Sequence, residues 1–192
     1  MDDATLKFFA KICFNEVTVK DYSDWAIYSL EKGFDSKNLR ILASMFNAGY
    51  ISEVEPYFKK SLNELNLSYP IVEEFLPEYA KSIARQIINK EIDAIEGSSE
   101  IYKVYRELRY DPKYSNWNLL QEGLHPETYQ DLVFEKDGIE DEQLWEEAII
   151  EEASIMIFGK ITTVHQYKTK PEFEYAEEKA EGFLTKLWKR IF

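Results

Sequence analysis

Acidic side chains crowd one stretch of the chain, between residues 131 and 152, where ten Asp and Glu residues accompany a single basic residue, Lys136. If this stretch is helical, Glu142 and Glu146 lie one turn apart, and Glu147 and Glu151 form a second such pair. Like charges at this spacing repel each other and destabilise a helix slightly. A basic partner would relieve that repulsion, although a charge run is more usually an ordinary solvated face. We call five residues the acidic ridge and predict that they bind a partner: Glu142, Glu146, Glu147, Glu151 and Glu152.

A second candidate binding site combines aromatic rings with basic side chains. Over residues 102–117 the rings alternate with basic side chains, a pattern that can stack nucleobases, although packing into the core is the ordinary interpretation. The rings are Tyr102, Tyr105, Tyr110, Tyr114 and Trp117, and the cations are Lys103, Arg106, Arg109 and Lys113. An alternative function follows from the end of this stretch. It is a small-molecule binder or a hydrolytic enzyme whose pocket is lined by Tyr110, Tyr114, Trp117 and His125.

Metal and cofactor motifs are weak or missing in the sequence. Glu122 and His125 have the Glu-x-x-His spacing of di-iron bundles, but no second copy of that spacing exists. The chain has no calcium-loop pattern, phosphate-binding loop, dinucleotide fingerprint or G-x-S-x-G elbow. The sequence therefore predicts no catalytic residues, no metal and no cofactor.

The charge balance restricts the classes of partner. The 192 residues carry a formal net charge of −13. Free nucleic acid and anionic membranes attract basic faces, so both are disfavoured, whereas a basic protein is electrostatically suitable. The length predicts one domain over residues 1–192, with 160–192 as a possible C-terminal appendage helix.

Cysteine usage and the N-terminus predict a cytoplasmic location. The single cysteine, Cys13, allows no internal disulfide, and we expect it to pack as a small apolar side chain. The chain begins Met-Asp-Asp and carries Lys7 and Lys11 within its first apolar run, which is unlike a signal peptide. No apolar run reaches the length of a membrane span.

Helical periodicity dominates the chain and predicts an all-α fold, either an irregular multi-helix bundle or a short solenoid of helical hairpins. A central hairpin over residues 22–45 is the clearest element. We expect Gly33 to end its first helix, Asp35 or Ser36 to cap its second, and Trp25 and Leu39 to be buried together. Further helices are predicted from Ala4 to Val17, from about Glu55, from Pro70 with a kink or break at Pro77, from Pro126 to Phe134, from Ile139 to Phe158 and from Pro171 to Phe192.

Other segments are expected to be irregular or extended. Residues 96–100 are predicted to form a loop whose serines cap the next helix, and residues 111–123 a packed connection without regular structure. Residues 161–167 are rich in β-branched side chains and could form a short strand.

The stretch W-A-I-Y-S-L-E-K-G-F-D-S-K-N-L-R-I-L-A-S, Trp25 to Ser44, resembles a pattern in small bacterial helical proteins, as does the E-V-E-x-Y-F segment from Glu53 to Phe58. The resemblance covers the first third of the chain and implies an all-α fold. It implies no catalytic residues. Some of these proteins accompany toxins or defence genes.

Together these observations predict an acidic, cytoplasmic, protein-binding module. We expect it to be immunity-like or regulatory and to cover a basic protein partner through the acidic ridge. Homo-oligomerisation through the C-terminal helix, residues 171–192, is a further prediction.

Overall fold

The computed structural model describes residues 1–124, 135–136, 139–140 and 142–159. Over these residues the fold is all-α, as predicted, with eight α-helices that pack against one another. The helices are α1 (Asp3–Cys13), α2 (Val19–Glu31), α3 (Lys37–Ala43), α4 (Ile51–Glu64), α5 (Val72–Ile88), α6 (Ala94–Glu107), α7 (Ser115–Gln121) and α8 (Glu142–Phe158). A 3₁₀ turn, Pro112–Tyr114, precedes α7, and two short strands, β1 (Glu135–Lys136) and β2 (Ile139–Glu140), pair antiparallel with Glu135 opposite Glu140.

The chain forms two compact units, Asp2–Leu76 and the part that begins at Pro77. In the first unit, α2 packs against α1, α3 and α4, and α3 packs against α4. Phe58 of α4 is fully buried at the centre, where its ring meets the rings of Phe8 and Trp25 at 5.4 and 5.1 Å. Aromatic pairs at such distances add to the stabilisation that apolar burial supplies.

The predicted central hairpin is confirmed as α2 and α3. Gly33 follows α2 with φ +90°, a conformation that costs glycine least, and Ser36 caps α3 by accepting a hydrogen bond from the Leu39 N–H at 3.2 Å. Leu39 is fully buried and Trp25 is 7% exposed, so both belong to the core of this unit.

In the second unit, α6 packs against α7 and α8, and α7 packs against α8. Buried apolar side chains from these three helices and the 3₁₀ turn form its core: Ile101, Val104, Tyr114, Trp117, Leu120, Ile149 and Ala153. Gly97 of α6 lies against Ile87 of α5. A Cβ atom at Gly97 would be 2.6 Å from Ile87 Cγ1, so the absence of a side chain permits this close approach.

Several local predictions were wrong, because helices continue through residues that usually end them. Residues 96–100 lie inside α6, whose N-cap is Asp93. Residues 111–123 are largely regular, since they contain the 3₁₀ turn and α7. Helix α4 begins at Ile51 and carries Pro56 in its interior. Helix α5 contains Pro77, so the predicted break does not occur, and the alternative of a kink stays a prediction.

The ends of three helices also differ from prediction. Helix α2 begins at Val19, three residues before the predicted start of the hairpin at residue 22, and Thr18 and Asp21 form a reciprocal capping box there. Helix α1 ends at Cys13, four residues earlier than expected, and Cys13 is half-buried. Helix α8 begins at Glu142, because Ile139 and Glu140 belong to β2.

Some predictions concern residues outside the described part of the chain. These are the helix over 126–134, the strand over 161–167 and the helix over 171–192. The single domain over 1–192 and the appendage over 160–192 include such residues as well, so both stay predictions.

Candidate functional site

Helix α8 carries the acidic ridge and is anchored by its opposite side. Ala148, Ile149 and Ala153 are buried, as expected for an apolar stripe at helical spacing. Trp145 adds a directional contact, because its indole Nε1–H donates to the Leu120 carbonyl oxygen at 2.9 Å. These contacts fix the helix against α6 and α7 and determine which of its glutamates face outward.

Three glutamates of the acidic ridge are partly exposed: Glu146, Glu147 and Glu151. Gln143 Nε2 donates to Glu147 Oε1 at 3.0 Å, which orients that carboxylate along the helix. The sequence of α8 contains no Lys or Arg, and within the described residues no cation pairs with Glu146 or Glu151. These three side chains therefore concentrate negative charge on one helix. The side chain of Glu142 lies outside the described part.

Glu152 differs from the other members of the acidic ridge and is not a surface anion. It is 8% exposed, and its Oε2 accepts a hydrogen bond from Asn116 Nδ2 of α7 at 3.0 Å. A buried carboxylate requires such partners, since leaving it unpaired would cost several kcal/mol. Its position explains the error in the prediction, because Glu152 lies seven residues after Trp145 and shares the anchored side of α8. Its role is to join α7 to α8.

The aromatic and basic stretch forms part of the core. Tyr114 is 2% exposed and Trp117 is fully buried, whereas Tyr110 is 62% exposed. Burial raises the pKa of Tyr114 to about 12, with smaller contributions from Asp111 and Glu78. Tyr110, Tyr114 and Trp117 therefore do not share one surface. His125, the fourth residue of the predicted pocket, lies outside the described residues.

The cations of this stretch are used in different ways. Lys103 pairs with Glu100 at 2.8 Å, and Glu100 also accepts a hydrogen bond from the Tyr79 hydroxyl at 2.8 Å. Lys113 lies 5.6 Å from the centre of the Tyr114 ring. Arg109 adopts a positive φ of 55° just after α6. These local contacts favour a structural role for the stretch over base stacking.

A groove that the sequence analysis missed lies in the first unit, between α1 and α2. Its volume is about 280 Å³, and we call it the α1–α2 groove. The lining residues are Ala4, Lys7, Phe8 and Lys11 from α1, and Asp21, Asp24, Trp25 and Tyr28 from α2. The signal was present in the sequence, because each set follows the i, i+3, i+4, i+7 spacing of one helix face. The sequence-based expectation for these two helices concerns only their apolar residues and includes no groove.

Among the residues that the structure describes, no group of three or more His, Cys, Asp or Glu side chains is arranged to hold a metal ion. None of the helices in the described ranges combines the length and the apolar character that crossing a membrane requires.

The comparisons with known proteins add no family. No protein-family model, no curated protein and no solved structure matches the chain. Any functional proposal for this chain therefore depends on its own residues and their geometry.

Proposed function

We propose that the protein binds a basic protein partner through Glu146, Glu147 and Glu151 of α8. The observation that carries the proposal is the anchoring of α8. One side of the helix is held by buried apolar residues and by the Trp145 hydrogen bond, and these three acids have no cationic partner among the described residues. In this proposal the protein is an immunity-like or regulatory module in the cytoplasm, a location with which its single cysteine is consistent.

The energetic argument has two parts. Glu147 and Glu151 are one helical turn apart, so their repulsion opposes the helix until a cation approaches. A net charge of −13 also attracts a basic protein over long range and accelerates encounter at low salt. Partly exposed carboxylates retain much of their hydration, so they contribute more to association rate and specificity than to affinity. The expected complex is therefore sensitive to salt.

The test compares two charge-reversed variants with the parent protein. The ridge variant carries Glu146→Lys, Glu147→Lys and Glu151→Lys. The control variant reverses three acids at the C-terminal ends of other helices: Glu31, Glu107 and Glu122. The helix dipole favours a cation at these positions, so the new lysines should not destabilise the helices. Each reversal adds two positive charges, so both variants change from −13 to −7. Any difference between them then reports position and not net charge.

Binding is measured against purified basic proteins encoded beside the gene for this chain, at low and moderate salt. We expect the ridge variant to bind roughly tenfold more weakly than the control variant, since each exposed ion pair contributes about 0.2–1 kcal/mol. We also expect its affinity to depend less steeply on salt. Equal affinity and equal salt dependence in the two variants would contradict the proposal. Absence of binding by the parent to every such basic protein would contradict it as well.

A further inference from the structure

The α1–α2 groove is bounded at one end by a polar contact. Helices α1 and α2 are joined by five residues and run antiparallel, so positions whose numbers sum to about 32 face each other. At one end Lys11 Nζ pairs with Asp21 Oδ1 at 2.5 Å. Tyr28 also lines the groove, and its pKa is raised, first by burial and then by the influence of the Asp2 carboxylate.

Aromatic rings form the floor of the groove. Phe8 and Trp25 line it and are only 4% and 7% exposed. Their rings stack at 5.2 Å with an angle of 14° between the planes. Such a floor attracts apolar groups, because contact with it removes apolar surface from water. Ala4, which has a small side chain, and Tyr28 also line the groove.

Opposite charges form the rim. Lys7 of α1 and Asp24 of α2 both line the groove and are exposed. They form no ion pair with each other. Asp24 pairs with Lys20 at 2.5 Å on the solvent side, and Lys7 has no ion-pair partner among the described residues. A cation and an anion thus line the same apolar groove without forming an ion pair with each other.

We infer that the α1–α2 groove binds a small zwitterion, a free α-amino acid with an apolar side chain. The ligand carboxylate would bind Lys7 and its ammonium would bind Asp24, while its side chain would lie on Phe8 and Trp25. The groove volume of about 280 Å³ is just below the range of roughly 300–1,000 Å³ that is typical of pockets for drug-sized ligands, so a compact ligand fits best. A ligand with a single charge would satisfy only half of the rim. This site is independent of α8 and of any protein partner.

The probe is L-leucine, titrated into the full-length protein while the indole N–H signal of Trp25 is followed by nuclear magnetic resonance. Two analogues separate the charges: 4-methylpentanoate keeps the carboxylate, and 3-methylbutylamine keeps the ammonium. We expect leucine to shift the Trp25 signal with saturation and both analogues to bind more weakly. If the Trp25 signal does not shift up to about 10 mM leucine, a concentration far above the dissociation constant of a useful site, the inference is overturned. Equal binding of either analogue would overturn the assignment of a zwitterion.

Variants test the location. Lys7→Gln and Asp24→Asn should each weaken leucine binding roughly two- to fivefold, in the range that exposed ion pairs supply. Ala4→Leu places a larger side chain in the α1–α2 groove from an exposed position, so it should abolish binding while leaving the thermal unfolding midpoint nearly unchanged. Lys60→Gln is the matched control, because this exposed lysine of α4 lies beside Tyr57 and outside the groove. Unchanged binding in Ala4→Leu, or equal weakening in Lys60→Gln, would show that leucine binds elsewhere.

Discussion

The backbone N–H of Asn38 donates to the Glu64 carboxylate at 2.9 Å, which joins the first turn of α3 to the last residue of α4. The Asn38 side-chain amide donates to the other carboxylate oxygen. Helix α3 has only seven residues, too few to be stable alone, and its free N-terminal N–H groups need acceptors. Ser36, the residue just before α3, accepts a hydrogen bond from one of these groups, and Glu64, 26 residues after Asn38, accepts one from another.

Glu64→Ala should therefore loosen α3 selectively. We expect faster hydrogen exchange for the α3 amides and a lower urea midpoint. The hydrogen bond from the Asn38 backbone lowers the pKa of Glu64 below its ordinary value of 4.5. The stabilisation is thus present at neutral pH and is lost as the pH falls through the folded-state pKa. Glu31→Ala, at an exposed position of α2, is the control. Equal exchange rates in the two variants at pH 7 would refute this role for Glu64.

Leu39→Ala should cost roughly 2–5 kcal/mol of unfolding free energy, because Leu39 is fully buried where α3 packs on α2 and α4. A denaturant titration measures this loss. Ile27→Ala, on the same hairpin but 42% exposed, provides the comparison and should cost much less. A loss below about 1 kcal/mol for Leu39→Ala would mean that this side chain contributes little to the core.

Gly97→Ala should destabilise the protein even though alanine favours helices. Alanine gains about 0.5–1 kcal/mol over glycine in a helix, but the new Cβ would lie within 2.9 Å of Ile87 and Ile92, and overpacking typically costs about 1–3 kcal/mol. Ile87→Ala removes two of the three close atoms and leaves only Ile92 Cδ1 at 2.9 Å, so adding Gly97→Ala there should cost less than in the parent. Gly49→Ala is the control, since its Cβ would meet only ordinary contacts. Additive effects in the double variant would disprove the proposed clash.

Tyr22 should make stability sensitive to alkaline pH. Burial, reinforced by the nearby Tyr69 and Glu55, raises the pKa of Tyr22 to about 12 from an ordinary value of 10.0. The unfolded chain therefore loses this proton first, so the unfolding free energy should fall as the pH rises from 10 to 12. Below pH 10 the contribution is constant. Tyr22→Phe should show a shallower decline in denaturant titrations over that interval, whereas Tyr50→Phe, at a 73% exposed position, should follow the parent. Identical slopes in Tyr22→Phe and the parent would contradict the assignment.

Local chemistry predicted much of the fold. The turn at Gly33, the cap at Ser36 and the buried Trp25 and Leu39 all follow from short-range spacing and residue type. The same reasoning failed at residues 96–100, where Gly97 and two serines indicate a loop. In the structure this segment lies in α6, and Gly97 packs close to the side chains of Ile87 and Ile92, a contact that periodicity alone does not predict.

The candidate sites show the same limit. The anchored side of α8 could be inferred from its apolar residues, but the burial of Glu152 depends on Asn116, a partner 36 residues earlier. The α1–α2 groove depends on how far the two helices are shifted along each other. The Lys11–Asp21 ion pair shows this shift in the structure, but the sequence alone does not predict it. Periodicity identifies each helix face and does not show that a space remains between two faces.

The boundary between the two compact units falls between Leu76 and Pro77, inside the continuous helix α5. Boundaries of this kind more often fall in exposed, flexible linkers, which are the sites that proteases cleave most readily. Proteases bind their substrates in an extended conformation, which a helical backbone does not adopt. Most of these enzymes also cleave a bond that is followed by proline, such as Leu76–Pro77, very slowly. Limited digestion should therefore not separate the two units at this position, and a fragment ending at Leu76 would lose most of the helix to which that residue belongs.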